Sequence, residues 1–274
     1  VTGVIAVPEP TNARLFGELL RAFREEAGLT QAELAKAAYC SQPLISGLEN
    51  GTKGTRVDTI KAIDDAVGAK GKLVLIWPVT ASGGQLPENL AELEVEASRI
   101  EDWDSRIMPG LLQTEEYMRA VMRSGLPQVT EAEREDRVRI RVERQQHIWQ
   151  REKPPLLWFI IDEAVLYRPY GGKDVMREQL LRLVSAAEQP GTIIQVLRFS
   201  SVCHPGFEGP LRIMHFSGNP SIWYTEGWKS SGRLSAAKDE VSEQIIKFDL
   251  IRAAAIPPDQ SVEFIASVRI SNYE

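Results

Sequence analysis

Cysteine and histidine are scarce in this chain of 274 residues, with two cysteines, Cys40 and Cys203, and three histidines, His147, His204 and His215. The cysteines lie far apart in no pairing pattern, which argues against a disulfide framework or a zinc knuckle. A His-Glu-x-x-His pair, a P-loop glycine string and a dinucleotide fingerprint are all missing. The one grouping that hints at chemistry is Cys203-His204 with His215. A metal there would need three ligands and a second shell, and His147 lies on a distant charged segment. A nucleophile would need a base and an orienting acid, which no spacing here supplies. Long apolar runs are missing too: nothing reaches the length of a membrane span, and the first residues form no charged-then-apolar signal segment. The expectation is a cytoplasmic protein with no membrane association, no cofactor and no catalytic centre.

What is present reads as ordinary globular material, 43% hydrophobic and 26% charged. The length favours two domains and leaves enough chain for a sizeable core. The net charge of −6 is unevenly placed. Residues 1–78 hold nine Lys/Arg and nine Asp/Glu, so the acidity falls entirely on the remainder, with 23 and 29.

The informative stretch is residues 29–51, with two helix starts about ten residues apart. Thr30 followed by Glu33 is a capping box, and Ser41 is an N-cap with Pro43 tolerated in the first turn. One short helix and a tight turn between them give the dimensions of a helix-turn-helix. Leu34, Ala35 and Ala38 on the first helix, with Ile45 and Leu48 on the second, are the positions two crossed helices would share. Gln42, Leu44, Ser46 and Gly47 are left facing away. A first turn of amide and hydroxyl groups suits base edges in a major groove. Lys53 and Arg56, just beyond, are placed to meet phosphate, the plain alternative being solvated loop charges.

Organisation follows from breaks in periodicity. Residues 1–10 read as a loose arm. Asn12 caps a helix to about Ala27, with Leu15, Leu19, Leu20 and Phe23 inward and Gly28 as the stop. Asp58–Val67 is a further helix, and residues 73–78 continue it, which makes 11–78 a bundle of four or five helices. Residues 79–87 have linker composition. Residues 88–274 then form a mixed α/β domain. Helices are expected at 88–100, from Thr114 to about Ser124, from Thr130 to about Arg151, at 174–187, from a Ser235 cap to Ala254, and at 259–268. Four strands are expected near 156–161, 192–199, 211–216 and 221–225. The fold class is α+β. Arg134, Arg137, Arg139, Arg141 and Arg144 alternate with Glu131, Glu133, Glu135 and Glu143, a salt-bridged outer or subunit-contacting helix. Trp223, Tyr224 and Trp228 read as aromatic core, with a ligand pocket as the alternative.

Residues 29–35 (Leu-Thr-Gln through Glu-Leu-Ala), with Ser41-Gln42, Ile45-Ser46 and Leu48-Glu49-Asn50-Gly51, resemble the XRE type of phage-repressor-like helix-turn-helix regulators. The resemblance runs on through residues 96–100, Met108-Pro109-Gly110-Leu111-Leu112-Gln113-Thr114, residues 162–166, Gly171-Gly172, residues 176–180 and His204-Pro205-Gly206. Those landmarks look like regulators that join such a head to an antitoxin-like effector domain, as in the WhiJ-like developmental regulators. The resemblance implies sequence-specific transcriptional regulation and a small partner protein encoded nearby. It also implies that Gln31 holds a phosphate, that Gln42 reads a base and that Ser46 touches backbone or base. Two positions depart from the pattern. Tyr39 stands in the turn where glycine is common, and Gly47 stands where arginine is common.

The candidate DNA-facing set is therefore Thr30, Gln31, Ser41, Gln42, Leu44, Ser46, Lys53 and Arg56. A neutral head gains little from counterion release, so two copies on double-stranded DNA are expected, in a homodimer joined through residues 88–274. That second domain would also receive the partner protein or a small ligand. The rival reading is an antitoxin-like protein that chiefly sequesters a partner. A third, enzymatic reading would use the Cys203, His204 and His215 region.

Overall fold

The computed structural model describes residues 10–74, 76–77, 93–125, 129–201, 204–226 and 233–274. The expected arm (1–10) except Pro10, all of the expected linker (79–87), Trp228 and Cys203 lie outside the described residues. The fold class is α+β, with helices leading and a mixed α/β region following. The chain divides into two compact units, Val1–Ser98 with Ile213–Gln244 and Arg99–Arg212 with Ile245–Glu274.

The first unit opens with α1 (Pro10–Glu26), α2 (Gln31–Ala37), α3 (Gln42–Glu49) and α4 (Val57–Val67). Helix α1 starts at Pro10, so Asn12 lies within its first turn instead of capping it. Its buried Phe16, Leu19, Leu20 and Phe23 recur at helical spacing, and Phe16 meets Trp77 edge-on at 4.7 Å. Gly17 lets α1 touch the end of α3, because a Cβ there would stand 2.3 Å from the Glu49 carbonyl oxygen. Helix α4 stops at Gly68, whose φ of 67° is the left-handed conformation that glycine tolerates. Asp64 is buried and accepts from the Gly71 and Leu73 amides at 2.6 and 2.8 Å, which caps a last helical stretch, described at 72–74 and 76–77. The head thus has the four or five helices that the sequence indicates.

The sheet has six strands rather than about four, in the order β3-β2-β1-β4-β5-β6. They are β1 (Arg99–Asp104), β2 (Leu156–Asp162), β3 (Thr192–Leu197), β4 (Leu211–Phe216), β5 (Asn219–Thr225) and β6 (Arg233–Ser235). Strands β2–β5 are the expected four, and β1 and β6 are the additions. Strand β1 takes the last two residues, Arg99 and Ile100, of the helix expected at 88–100, of which residues 93–96 are helical. Its sequence, Arg-Ile-Glu-Asp-Trp-Asp, buries three acids, each beside an arginine: Glu101 with Arg99, Asp102 with Arg212, and Asp104 with Arg106. β1 runs parallel to β2, and β2 parallel to β3, in register Ile100↔Leu157 and Ile160↔Gln195. β6 pairs antiparallel with β5 through Tyr224↔Leu234. Ser235 therefore ends a strand rather than capping a helix. The helix after it begins at Lys238, and Ser235 Oγ accepts from the Ala237 amide at 3.1 Å.

The second unit adds α5 (Glu115–Arg123), α6 (Glu131–Trp149), α7 (Glu163–Tyr167), α8 (Lys173–Ala187) and α10 (Pro258–Tyr273), while α9 (Lys238–Ala254) runs through both units. Thr114 and Thr130 cap α5 and α6 as their sequences indicate, Thr130 in a full capping box with Glu133. Arg134 and Arg139 of α6 pair within their helix, and Glu131 and Glu135 of α6 pair with arginines of α5. Arg139 meets Glu143 at 2.9 Å, and Glu135 receives Arg119 at 3.0 Å.

The string Met108–Thr114 is largely buried and holds only one turn of 3-10 helix, Gly110–Leu112, so most of its peptide groups need partners from outside regular structure. They come from side chains. Gln113 donates to the Met108 carbonyl at 2.7 Å, and Gln145 donates to those of Gly110 and Gln113 at 2.7 and 2.8 Å. Trp149 donates to Leu111 at 3.1 Å and Gln179 to Leu112 at 2.9 Å, while Gln179 accepts from the Thr114 amide. The most distinctive motif of the chain is thus a structural cradle.

Burial pushes the Asp104 carboxyl up to about 6, against the opposing pull of the Arg106 amide and guanidinium. Below about pH 4 the residue is protonated whether folded or unfolded. Between about 4 and 6 the folded state binds the extra proton, so rising pH removes stability across that window and not beyond it. Asp104→Asn is accordingly expected to be more stable than wild type at neutral pH, by up to about 3 kcal/mol. The gain should vanish near pH 4. Urea unfolding from pH 4 to 8 checks this, and a difference that does not vary with pH would refute it.

Candidate nucleic-acid interface

The interface is built on α2, the turn after it, and α3. Thr30 is extended at the start of α2, where Glu33 accepts from its amide at 2.8 Å and its hydroxyl accepts from the Glu33 amide at 3.2 Å. That hydroxyl also donates to the Glu33 carboxylate at 2.7 Å, so Thr30 serves the helix start. These hydrogen bonds hold the Glu33 carboxyl below its ordinary range.

The turn closes with the Cys40 amide donating to the Ala35 carbonyl at 2.9 Å. Tyr39 sits in the turn at φ 52°, the left-handed conformation expected where glycine is common, with its ring 95% exposed. A tyrosine held there costs about 1 kcal/mol relative to an unstrained residue. Burial pushes the Cys40 thiol up, so it stays protonated at neutral pH.

Ser41 is extended at the N-cap of α3 but makes no side-chain cap hydrogen bond, and Pro43 occupies the first turn. Ile45 and Leu48 are buried, as the sequence indicates. Ser41 and Gln42 are exposed, while Leu44 and Ser46 are half-buried. Gly47, expected to face solvent with them, is instead buried. The Lys53 side chain lies over it, with Lys53 Cδ 2.5 Å from where a Gly47 Cβ would be. Lys53 thus turns back onto α3, and its Nζ donates to the Pro43 carbonyl at 3.1 Å. Arg56 is exposed at the N-cap of α4, with no ion pair among the described residues.

One buried acid organises these amides. The Glu49 side chain, at the end of α3, is fully buried and accepts from Arg24 Nε at 2.5 Å, Arg24 Nη2 at 3.1 Å and Arg21 Nε at 3.4 Å. It also accepts from Gln31 Nε2 at 2.9 Å, and Gln31 Oε1 in turn accepts from Gln42 Nε2 at 3.1 Å. Burial alone would raise the Glu49 carboxyl, but the hydrogen bonds from Arg24 and Gln31 and the Arg24 charge hold it below its ordinary range. The same bond raises Arg24. A chain of contacts therefore runs from α1 through Glu49 and Gln31 to Gln42, and holds the Gln42 amide in place. It leaves Gln42 Oε1 and one N–H of its amide outward, the acceptor and donor that an adenine edge requires.

Sequence reasoning missed Glu49, Arg21, Arg24 and Gly17. A usable signal existed for Glu49. It falls next to Leu48 and one turn from Ile45, on the inward side of α3, where a carboxylate needs partners.

His204 Nδ1 accepts from the Gly206 amide at 3.1 Å, and His215 Nδ1 lies 3.0 Å from Ser221 Oγ. Among the described residues no three His, Cys, Asp or Glu are grouped to hold a metal ion. Trp223 and Tyr224 are buried on β5. No helix among the described residues is long and apolar enough to cross a membrane.

This geometry defines a helix-turn-helix, the reading domain of a DNA-binding regulator, and a helix-turn-helix domain family model matches residues 15–75. A second model, the domain of unknown function DUF5753, matches residues 87–267. The chain belongs to the DUF5753 family, with a helix-turn-helix domain in front. Neither the curated proteins nor the solved structures contain a match to it.

Proposed function

We propose that this is a sequence-specific transcriptional regulator of the cytoplasm that binds double-stranded DNA as a homodimer. Gln42 reads a base edge in the major groove, while Ser46 and Arg56 meet the duplex beside it. The observation that carries this reading is the exposed Gln42 amide, held by Gln31 and through it by the buried Glu49. The balanced charge of residues 1–78 supports the dimer, since two heads on half-sites about 34 Å apart supply the affinity one neutral head lacks. The DUF5753 domain joins the subunits and receives a small partner protein or ligand, which acts by changing the spacing of the heads. The XRE-like motifs at 29–51 and the WhiJ-like landmarks beyond them support that division of labour, and no catalytic step is assigned to the chain.

Mobility shift on the protein's own upstream DNA tests this. Gln42→Ala should lower specific affinity about tenfold to a hundredfold while leaving non-specific binding in place. Unchanged specific affinity would remove Gln42 as a reader. No specific shift with wild type, even with the product of the neighbouring small gene supplied, would favour the sequestration reading instead.

A further inference from the structure

We infer that Lys53 is a second base-reading residue, carried onto the recognition helix from the following loop through the notch at Gly47, and that it specifies guanine. The inference rests on the reading of α3 as the recognition helix. At 3.6 residues per turn, the buried Ile45, Leu48 and Glu49 fix the inward side of α3. The opposite side then carries Pro43, Gly47 and Asn50. Pro43 and Asn50 are exposed as that position demands, and Gly47 alone is covered.

The cover is Lys53. The root of its side chain is fixed, because the Thr52 and Lys53 amides both donate to the Gly47 carbonyl, at 2.8 and 3.1 Å. From there the methylenes run back toward the start of the helix, and three of their carbons lie within 3.0 Å of where a Gly47 Cβ would stand. The ammonium reaches the Pro43 carbonyl, next to Gln42 in sequence. A loop residue therefore supplies the long cationic arm that the outward side of α3 lacks. One ammonium proton is taken by Pro43 and two remain for a ligand. Lys53 forms no ion pair with a carboxylate among the described residues, and it is exposed. Of the four bases, guanine alone presents two acceptors, O6 and N7, in the major groove, whereas the amino groups of adenine and cytosine would repel a cation.

The test is selection from a library of randomised duplexes with the full-length chain, run on wild type, Gln42→Ala, Lys53→Met and Gly47→Ala. Wild type should enrich a motif containing a G·C pair adjacent to the position whose preference is lost in Gln42→Ala. Lys53→Met should level the preference at that pair, about tenfold or more, with the other positions intact. Gly47→Ala keeps the lysine but fills its notch, so it should produce the same local loss in a head that melts no lower than wild type. A uniform drop in affinity with a shallower salt dependence and an unchanged motif would make Lys53 a phosphate clamp and overturn the proposal. So would a motif indifferent to both variants. If wild type enriches no motif at all, the underlying reading of the head fails and this inference falls with it.

Discussion

Alanine in place of Glu49 should destabilise the head by about 3–5 kcal/mol, the range for removing one partner of a buried ion pair, and abolish specific DNA binding. Against a typical stability of about 5–15 kcal/mol, that is enough to unfold a large share of the molecules at physiological temperature. The size comes from what remains behind: Arg24 is nearly enclosed beside Glu49, with its side chain 11% exposed, and would lose its buried counter-charge, keeping only the exposed Glu25 at 3.5 Å. Gln31 would lose the acceptor that aims it at Gln42. Glu49→Gln keeps an acceptor without the charge and should fall between the two. The folded carboxyl is depressed below its ordinary value, so its contribution is fully present above that value. It disappears as pH falls through the depressed folded value. Urea unfolding of wild type and Glu49→Gln should therefore converge on acidification. Curves that stay parallel down to acid unfolding would show that the charge contributes nothing.

Gly17→Ala is expected to lose about 2–3 kcal/mol, against the usual gain of about 0.5–1 kcal/mol for that exchange inside a helix. The added methyl would stand 2.3 Å from the Glu49 carbonyl oxygen and 2.6 Å from that of Leu48. Both are backbone atoms of α3, so relief requires α1 and α3 to separate, which also stretches Arg24 from Glu49. Denaturant midpoints for Gly17→Ala and Gly17→Val should fall in that order. A Gly17→Ala protein as stable as wild type would mean that the two helices are not held at this separation. Because both sites act on the α1–α3 contact, Gly17→Ala combined with Glu49→Ala should lose less than the two separate effects added together.

The parts of the fold that were legible in sequence are those whose signal is local. Thr30 with Glu33 and Thr130 with Glu133 announce helix starts within four residues, and Leu156–Ile161 is a short apolar run ending in two β-branched residues, the length and composition of an inner strand. Strand β1 was not legible, because Glu101, Asp102 and Asp104 look solvated until Arg99, Arg212 and Arg106 are found beside them. At three residues, β6 carries no periodicity and is created by its pairing with β5. The candidate site divides the same way. Gln42 is visible from its place after a cap. Its fixation is not, since Gln31 lies 11 residues away from it and Arg24 lies 25 from Glu49. Gly47 looked like a defect in a helix and is instead the seat of Lys53. A glycine gives no sign in sequence of what comes to occupy its space.

The peptide groups of the 108–114 string depend on donors from separate places in the chain: Gln113 within it, Gln145 and Trp149 on α6, and Gln179 on α8. Damage to any of these strands a carbonyl in the same enclosed stretch, so residues dozens of positions apart share a single point of failure. In a genetic screen they would form one phenotypic group scattered along the gene, and a cluster of silencing lesions there would trace the keystone of this domain.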